Sequence, residues 1–422
     1  MDTVIWISAF RDKYFWQLGW WIRKIMMYTD WFYWLFVFVA VVTYHLMPHR
    51  LRRWVLFASG VAFYYNYAGA YLFLLLAEVV IAIVVAKAAA KWRKRWIYPA
   101  GILTAILVLG YFKYTNMMLD TLNELFAFIH QPFLPKAEQI VLPLGISYFT
   151  FELIHYLVER KRGTLPEHRP EGLLSFIFFF PSMVAGPIKQ FQMFNPQLTS
   201  RFHLDHMLIG VARIGCGLFK KLVLAGSIDM LAQPVYSASG IAEADTARLW
   251  ISLVAYTFVI YFDFSGYSDI AIGTARLFGI VIPENFRFPY LARSIAEFWN
   301  RWHISLGSWL TRYVYFPLGG SRVPAPRVYF NLMATMTVSG LWHGAAWNFV
   351  IWGMFHGMML CIHRYYVKQL KPALKPVPKW LKPVTVTVAI LITFFGVTIS
   401  RVFFILPIAD GWNLMLRLLG MR

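Results

Sequence analysis

The sequence is short of charge, shortest of acidic residues, and nearly free of cysteine. Only 14% of its 422 residues are Asp, Glu, Lys or Arg, where soluble domains carry about 25%. With a hydrophobic fraction of 59% and a mean hydropathy of +0.55, that shortage excludes a soluble globular enzyme. It also excludes intrinsic disorder, which requires low hydrophobicity. Short alternating segments are absent, which excludes a β-barrel. The two cysteines, Cys216 and Cys361, stand far apart in apolar segments and offer neither a disulfide framework nor a metal-ligand spacing. There is no serine-nucleophile motif, phosphate loop, dinucleotide fingerprint or His-Glu-x-x-His zinc motif. No cleavable signal peptide is evident, because residues 1–30 mix charges and tryptophans without a clean apolar core.

What is there describes an all-α polytopic membrane protein. About 20 apolar residues span a bilayer. Apolar runs fall at about 32–48, 53–69, 70–86, 97–114, 139–158, 172–188, 207–232, 247–262, 328–342, 345–365 and 384–406. Several contain Gly or Pro and are candidates for broken or re-entrant helices. The formal charge of +20 does not imply nucleic acid as a partner. Its basic residues sit in short clusters, at Arg50–Arg53, Lys91–Arg95, Arg160–Arg162 and Lys368–Lys382. These read as cytoplasmic anchors that meet membrane lipid headgroups. The first three are two spans apart, which places the N-terminus outside the cell. Tyr14–Met27 reads as an interfacial amphipathic helix or an irregular surface segment. The simplest division is an interfacial segment, residues 1–30, and one membrane domain, 31–422, with a core at about 139–365.

The segment 264–327 departs from this pattern, mixing charges, tryptophans, Pro and Gly. Such a segment lies at an interface or is enclosed around a polar cavity. His303 falls in EFWNRWHISLGSWL (Glu297–Leu310). Read as a helix, this puts Trp299, Trp302, His303, Leu306 and Trp309 near one face and lets Glu297 pair with Arg301 four residues on. His343 falls in SGLWHGAAWNFVIWGMFHG (Ser339–Gly357), beside Trp342 and Gly344. Intramembrane ionisable residues are expensive and point to function, but each histidine also suits a structural role as a hydrogen bonder between helices. His356 reads as structural. Asp263 and Asp269, in YFDFSGYSDIAIG (Tyr261–Gly273), read foremost as a cap and turn at a helix end, and otherwise as ion ligands, relay groups or partners of arginines. Lys189 closes FFFPSMVAGPIKQF (Phe178–Phe191), a Pro-broken helix placed to line a pore, meet an anionic donor or make an interfacial turn. Lys220 and Lys221 read as snorkelling to the surface.

With no other chemistry in the sequence, a reaction rests on neutral histidines in a dry cavity. A histidine base suits acyl transfer from a thioester to a hydroxyl, since it takes the hydroxyl proton as the oxygen attacks. An indole N–H of Trp302 or Trp342 is a candidate donor to the oxyanion.

At these residues the chain resembles the membrane-bound O-acyltransferase family. The strings YFDFSGYSDIAIG, ENFRFPYLARSIAEFWNRWHISLGSWLTRYVYFPLGG and SGLWHGAAWNFVIWGMFHG are similar to the bacterial branch that O-acetylates exported polysaccharides. FFFPSMVAGPIKQF and LGYFKYTNM (Leu109–Met117) fit the same branch. The resemblance covers about residues 50–365. It implies a ring of about 10–12 transmembrane helices around a central funnel, with re-entrant and interfacial helices. It also implies that His343 is the catalytic histidine and His303 the second active-site histidine. Around them Trp299, Trp302, Arg301, Trp342, Asp263, Asp269 and Lys189 are candidates for substrate binding. His155 stands where the resemblance leads to a small polar residue, and Glu159-Arg160-Lys161 replaces a more usual acid–aliphatic–aromatic run.

The implied reaction moves an acyl group, foremost acetyl, from a cytoplasmic thioester, acetyl-CoA or an acyl carrier protein, to a hydroxyl on an exported polysaccharide or relay partner. No bound cofactor or metal is expected. An extracytoplasmic partner of the SGNH type and the bacterial inner membrane are expected. Transfer of D-alanine from a carrier protein toward teichoic-acid-like acceptors is the alternative. A transporter that flips an acyl donor or lipid-linked sugar is a further one, but transporters tend to show internal repeats with matching broken helices. None is seen here, and two tryptophan-flanked histidines 40 residues apart serve acid–base chemistry.

Overall fold

The computed structural model describes residues 28–129, 140–165, 169–199, 203–373 and 378–421. The amphipathic segment read at Tyr14–Met27 lies outside them. Among the described residues the fold is all-α, and its one β pairing is an isolated antiparallel bridge between Phe286 and Trp302.

Helices α1 (Trp31–Leu46), α2 (His49–Ala68), α3 (Tyr71–Trp92) and α4 (Ile97–Phe128) follow the first four apolar runs. Asp30 caps α1 by accepting from the Phe32 N–H at 2.9 Å. Gly69, at φ +56°, separates α2 from α3 in a conformation open to glycine. The next helix, α5 (Ile146–Arg162), is buried along most of its length. It ends on Arg160, Lys161 and Arg162 and a left-handed Gly163, a basic last turn that suits the negative end of a helix. The run at 172–188 breaks, as its prolines predict, into α6 (Pro170–Ile177) and a single turn, Phe180–Met183.

The second half is built from helix pairs. α7 (Leu204–Leu218) continues through a π-helical stretch, Phe219–Ala225, into Gly226–Ala232. It packs antiparallel to α8 (Thr246–Leu277) at two levels. A Cβ on Gly266 would lie 2.7 Å from the Gly217 carbonyl oxygen, and one on Gly273 would lie 2.6 Å from that of Gly210. Bare backbone at both levels lets the helices touch, the usual role of small residues between membrane helices. After α9 (Ile295–Trp299) and α10 (Ile304–Leu310), α11 (Ala325–His343) and α12 (Trp347–Tyr365) form a second tight hairpin. There a Cβ on Gly340 would lie 2.1 Å from the Phe349 carbonyl oxygen. α13 (Lys382–Ser400) and α14 (Ile408–Leu418) close the chain against α8.

Tyr71–Trp92, Ile97–Phe128, Thr246–Leu277 and Lys379–Ile405 are long and apolar enough, by length and composition, to cross a membrane. Large apolar side chains such as Trp31, Phe73, Leu107 and Trp380 stand exposed on the outside, a surface that suits lipid rather than water. The main core joins α1–α6 to the C-terminal half of α8 and to α10.

Two expectations are corrected. Asp263 and Asp269 do not sit at a helix end, because α8 runs unbroken past both to Leu277. Cations on the neighbouring helix balance their charge, so the helix has no reason to stop. Glu297–Leu310 is not one helix. It breaks at His303, which is left-handed at φ +44°. Neighbouring chain captures the backbone there: Arg287 N–H donates to the Arg301 carbonyl (2.9 Å) and Ile304 N–H to the Asn285 carbonyl (3.0 Å). The Asn285 side-chain oxygen accepts from the Ser305 hydroxyl at 2.7 Å. With its polar groups satisfied outside a helix, the segment forms a loop that turns His303 inward.

Candidate active site

α11 ends at His343, and the chain reverses at once through Gly344–Ala346 into α12. A Cβ on Gly344 would meet the Phe349 ring at 2.1 Å, so the reversal needs glycine at this position. The half-buried His343 ring lies 5.0 Å from Trp342, 5.0 Å from Trp352 and 5.2 Å from Phe404, centroid to centroid. From the loop before α10, the buried His303 ring lies 5.6 Å from Trp342 and 4.7 Å from Phe264. Trp342 thus touches both histidines edge-on, at 72° and 77°. Its indole Nε1 is buried without an acceptor among the described residues. The two histidines, 40 residues apart in the chain, meet at one indole.

Lys113 of α4 holds the end of α11. It donates to the Trp342 carbonyl and, at 3.2 Å, to the Ser147 hydroxyl. Beside it the Tyr114 hydroxyl donates to the Leu341 carbonyl at 2.7 Å. The last carbonyls of a helix lack intrahelical partners, and here two of them are filled from α4.

The other predicted residues fall into two groups. Trp302 and Trp299 join the aromatic box: Trp302 stacks on Phe298 (5.6 Å), and Trp299 lies 5.2 Å from His356. The charged residues are already paired. Asp263 takes Lys221, and Asp269 takes both Arg213 (2.7 Å) and Lys220 (2.6 Å). Lys221 is therefore buried rather than snorkelled. Lys189 pairs with Glu152 at 2.6 Å, both buried, and Arg301 pairs with Glu297 at 2.6 Å, as the four-residue spacing predicts. His356 is buried and bonded through Nε2 to the Ser400 hydroxyl at 2.9 Å. Cys216 and Cys361 are free. No group of three or more His, Cys, Asp or Glu among the described residues is placed to hold a metal.

Three features escaped the sequence reading. Lys113 lies inside LGYFKYTNM, where only the whole string stood out. Arg401 lies inside the apolar run 384–406, and a lone arginine there was the available signal. Its guanidinium is buried, with its carbon 4.7 Å from the Trp302 ring centre and 5.7 Å from that of Phe404. Burying an ion costs several kcal/mol, and a desolvated cation–π contact returns about 2 kcal/mol, so the rings alone do not offset it. The third feature is a polar chain at His155. Phe191 N–H donates to His155 Nε2 at 2.9 Å, so the ring proton sits on Nδ1. It donates to the Tyr313 hydroxyl at 2.7 Å, which donates to Glu159 at 2.8 Å, and Arg162 closes the chain at 2.9 Å. His155 and Glu159, both singled out in the sequence, thus serve one network.

Residues 61–406 match the pattern described as "MBOAT, membrane-bound O-acyltransferase family". The chain is 37% identical to a protein of Azotobacter vinelandii described as "Probable alginate O-acetylase", over 88% of this chain and 74% of that one. It is 33% identical to a peptidoglycan O-acetyltransferase of Helicobacter pylori, over 87% and 73%. It is 32% identical to a teichoic acid D-alanyltransferase of Streptococcus thermophilus, over 67% and 72%.

Proposed function

We propose a reaction on one premise: this chain belongs to the membrane-bound O-acyltransferase family and is a multi-pass membrane O-acyltransferase. It moves an acetyl group from a cytoplasmic thioester, acetyl-CoA or an acyl carrier protein, to a hydroxyl on an exported polysaccharide or on an SGNH-type relay protein. The observation that carries this reading is the meeting of His303 and His343 at the Trp342 ring.

His343 is the general base. Its ring is held by aromatic neighbours and keeps only part of its surface open, and a hydroxyl would approach it there. As the acceptor oxygen attacks the thioester carbon, its proton passes to His343. When the carbon–sulfur bond breaks, the proton passes on to the leaving thiolate. No covalent enzyme intermediate is needed. His303, fully enclosed, orients or polarises a reactant, and the unpaired Trp342 N–H points to a donor for the oxyanion. Trp299 and Trp302 wall the site. Asp263, Asp269, Lys189 and Arg301, each spent on an ion pair, support it without binding substrate directly. Three basic clusters lie at the start of α2 and at the ends of α3 and α5, so that the helix pairs α2–α3 and α4–α5 separate them. That spacing supports a common cytoplasmic side in the bacterial inner membrane and an outward N-terminus.

The test uses the purified protein with radiolabelled acetyl-CoA, with and without neighbouring envelope proteins. Label transfer by the wild type that disappears in a folded His343→Ala variant supports the reading. Transfer from a D-alanyl carrier but not from acetyl-CoA replaces acetyl by D-alanyl. Undiminished transfer in both His343→Ala and His303→Ala overturns the mechanism.

A further inference from the structure

We propose that Arg401 is a catalytic residue whose guanidinium, through Nε and Nη2, donates to the oxygen that becomes negative during acyl transfer. This rests on the reading of His343 as the base.

Arg401 differs from the other cations around the site. Lys221, Lys220, Arg213, Lys189 and Arg301 each have a carboxylate within ion-pair distance, and Lys113 has a carbonyl and a hydroxyl. Arg401 is only 1% exposed, forms no ion pair among the described residues, and has Nε and Nη2 buried without an acceptor. The neutral Tyr290 hydroxyl accepts from the guanidinium while it donates to the Thr257 carbonyl at 2.5 Å, and Nε and Nη2 stay open. Tyr256 of α8, His343 of α11 and His356 of α12 also face Arg401. None carries a negative charge near neutral pH. A buried, uncompensated fork of donors is therefore held ready for a charge that arrives from outside the protein.

Its position selects which charge. The guanidinium lies over Trp302, the neighbour of His303, and it leans on Phe404, the ring that also packs against His343. Both histidines and Arg401 thus border one aromatic box. In the reaction above, the acceptor oxygen bonds to the acyl carbon while the carbonyl electron pair moves onto its oxygen. Negative charge appears there only until the pair returns and the thiolate leaves. A fixed cation in a water-poor site stabilises that charge at no cost in reorganisation. An internal carboxylate at Arg401 would cancel the effect, which accounts for its absence.

The experiment measures steady-state acyl transfer by the full chain in lipid nanodiscs, with whichever of acetyl-CoA and a D-alanyl carrier the wild type turns over and alginate oligosaccharide as the acceptor. Arg401→Gln is expected to lower kcat by about 100–1,000-fold, with little change in the donor KM. Arg401→Lys should recover part of that loss, and guanidinium ion should restore turnover to Arg401→Gly. A folded Arg401→Gln variant with unchanged kcat overturns the proposal, as does a defect confined to KM. If Arg401→Gln does not fold, guanidinium rescue of Arg401→Gly decides, and failure of rescue counts against the proposal. His343→Ala is run in parallel. Loss there with none at Arg401 sinks only the present proposal, whereas full activity in His343→Ala sinks the assignment of the base.

Discussion

Lys113 donates from α4 to the main-chain carbonyl of Trp342, the residue before His343. A cation at a helix C-terminus is stabilised by the negative end of the helix, and this one also supplies a donor to a carbonyl the helix leaves open. The contact anchors the helix end that carries the proposed base. Lys113→Met should therefore lower kcat by about 10–100-fold, the cost of slight misplacement of a reacting group, while the donor KM stays close to wild type. Parallel kinetics and thermal unfolding in detergent check this. Equal losses of stability and activity would instead make Lys113 a purely structural residue.

The two histidines should not be equivalent. Removing a general base costs about 10²–10⁴-fold, so His343→Ala is expected to fall furthest. His303 occupies a left-handed backbone position, φ +44°, which Asn adopts more readily than most residues. His303→Asn should keep the loop and lose activity, whereas His303→Val should also lose stability. Kinetics beside melting curves separate the two effects.

Lys221 and Asp263 form a buried ion pair between α7 and α8. Breaking such a pair by removing one partner costs about 3–5 kcal/mol, while replacing both by apolar residues is often neutral. Lys221→Met alone should lower the unfolding midpoint clearly, and Lys221→Met with Asp263→Leu should recover most of it. A double variant as unstable as the single one would contradict this and give Asp263 a role beyond pairing.

Gly340 faces the Phe349 carbonyl across the α11–α12 hairpin, with room for no Cβ. Gly340→Ala should cost about 1–3 kcal/mol by overpacking. It should also reduce activity, because the strain falls three residues before His343. Ala at Gly215, where a Cβ meets nothing within 4 Å, is the control expected to behave as wild type.

Much of this protein is determined by its sequence alone. The scarcity of charge and the length of the apolar runs make it an all-helical membrane protein, because a bilayer leaves the backbone few other ways to satisfy its hydrogen bonds. Gly69 and the prolines of 172–188 mark helix ends, because glycine and proline change the backbone locally. His303 and His343 stand out because an ionisable group in an apolar setting is costly wherever it lies.

Tertiary structure decided the rest. Asp263 and Asp269 read as caps because the cations that balance them lie 42 to 56 residues away, on α7 and its π-helical continuation. The loop at His303 depends on backbone pairing with Asn285 and Arg287, which no helical periodicity reveals. Nothing in the sequence around Arg401 foretells that folding sets it over Trp302, with no ion pair among the described residues. The meeting of His303 and His343 on Trp342 has the same origin. Periodicity is a property of neighbours along the chain, whereas charge balance and proximity belong to neighbours in space.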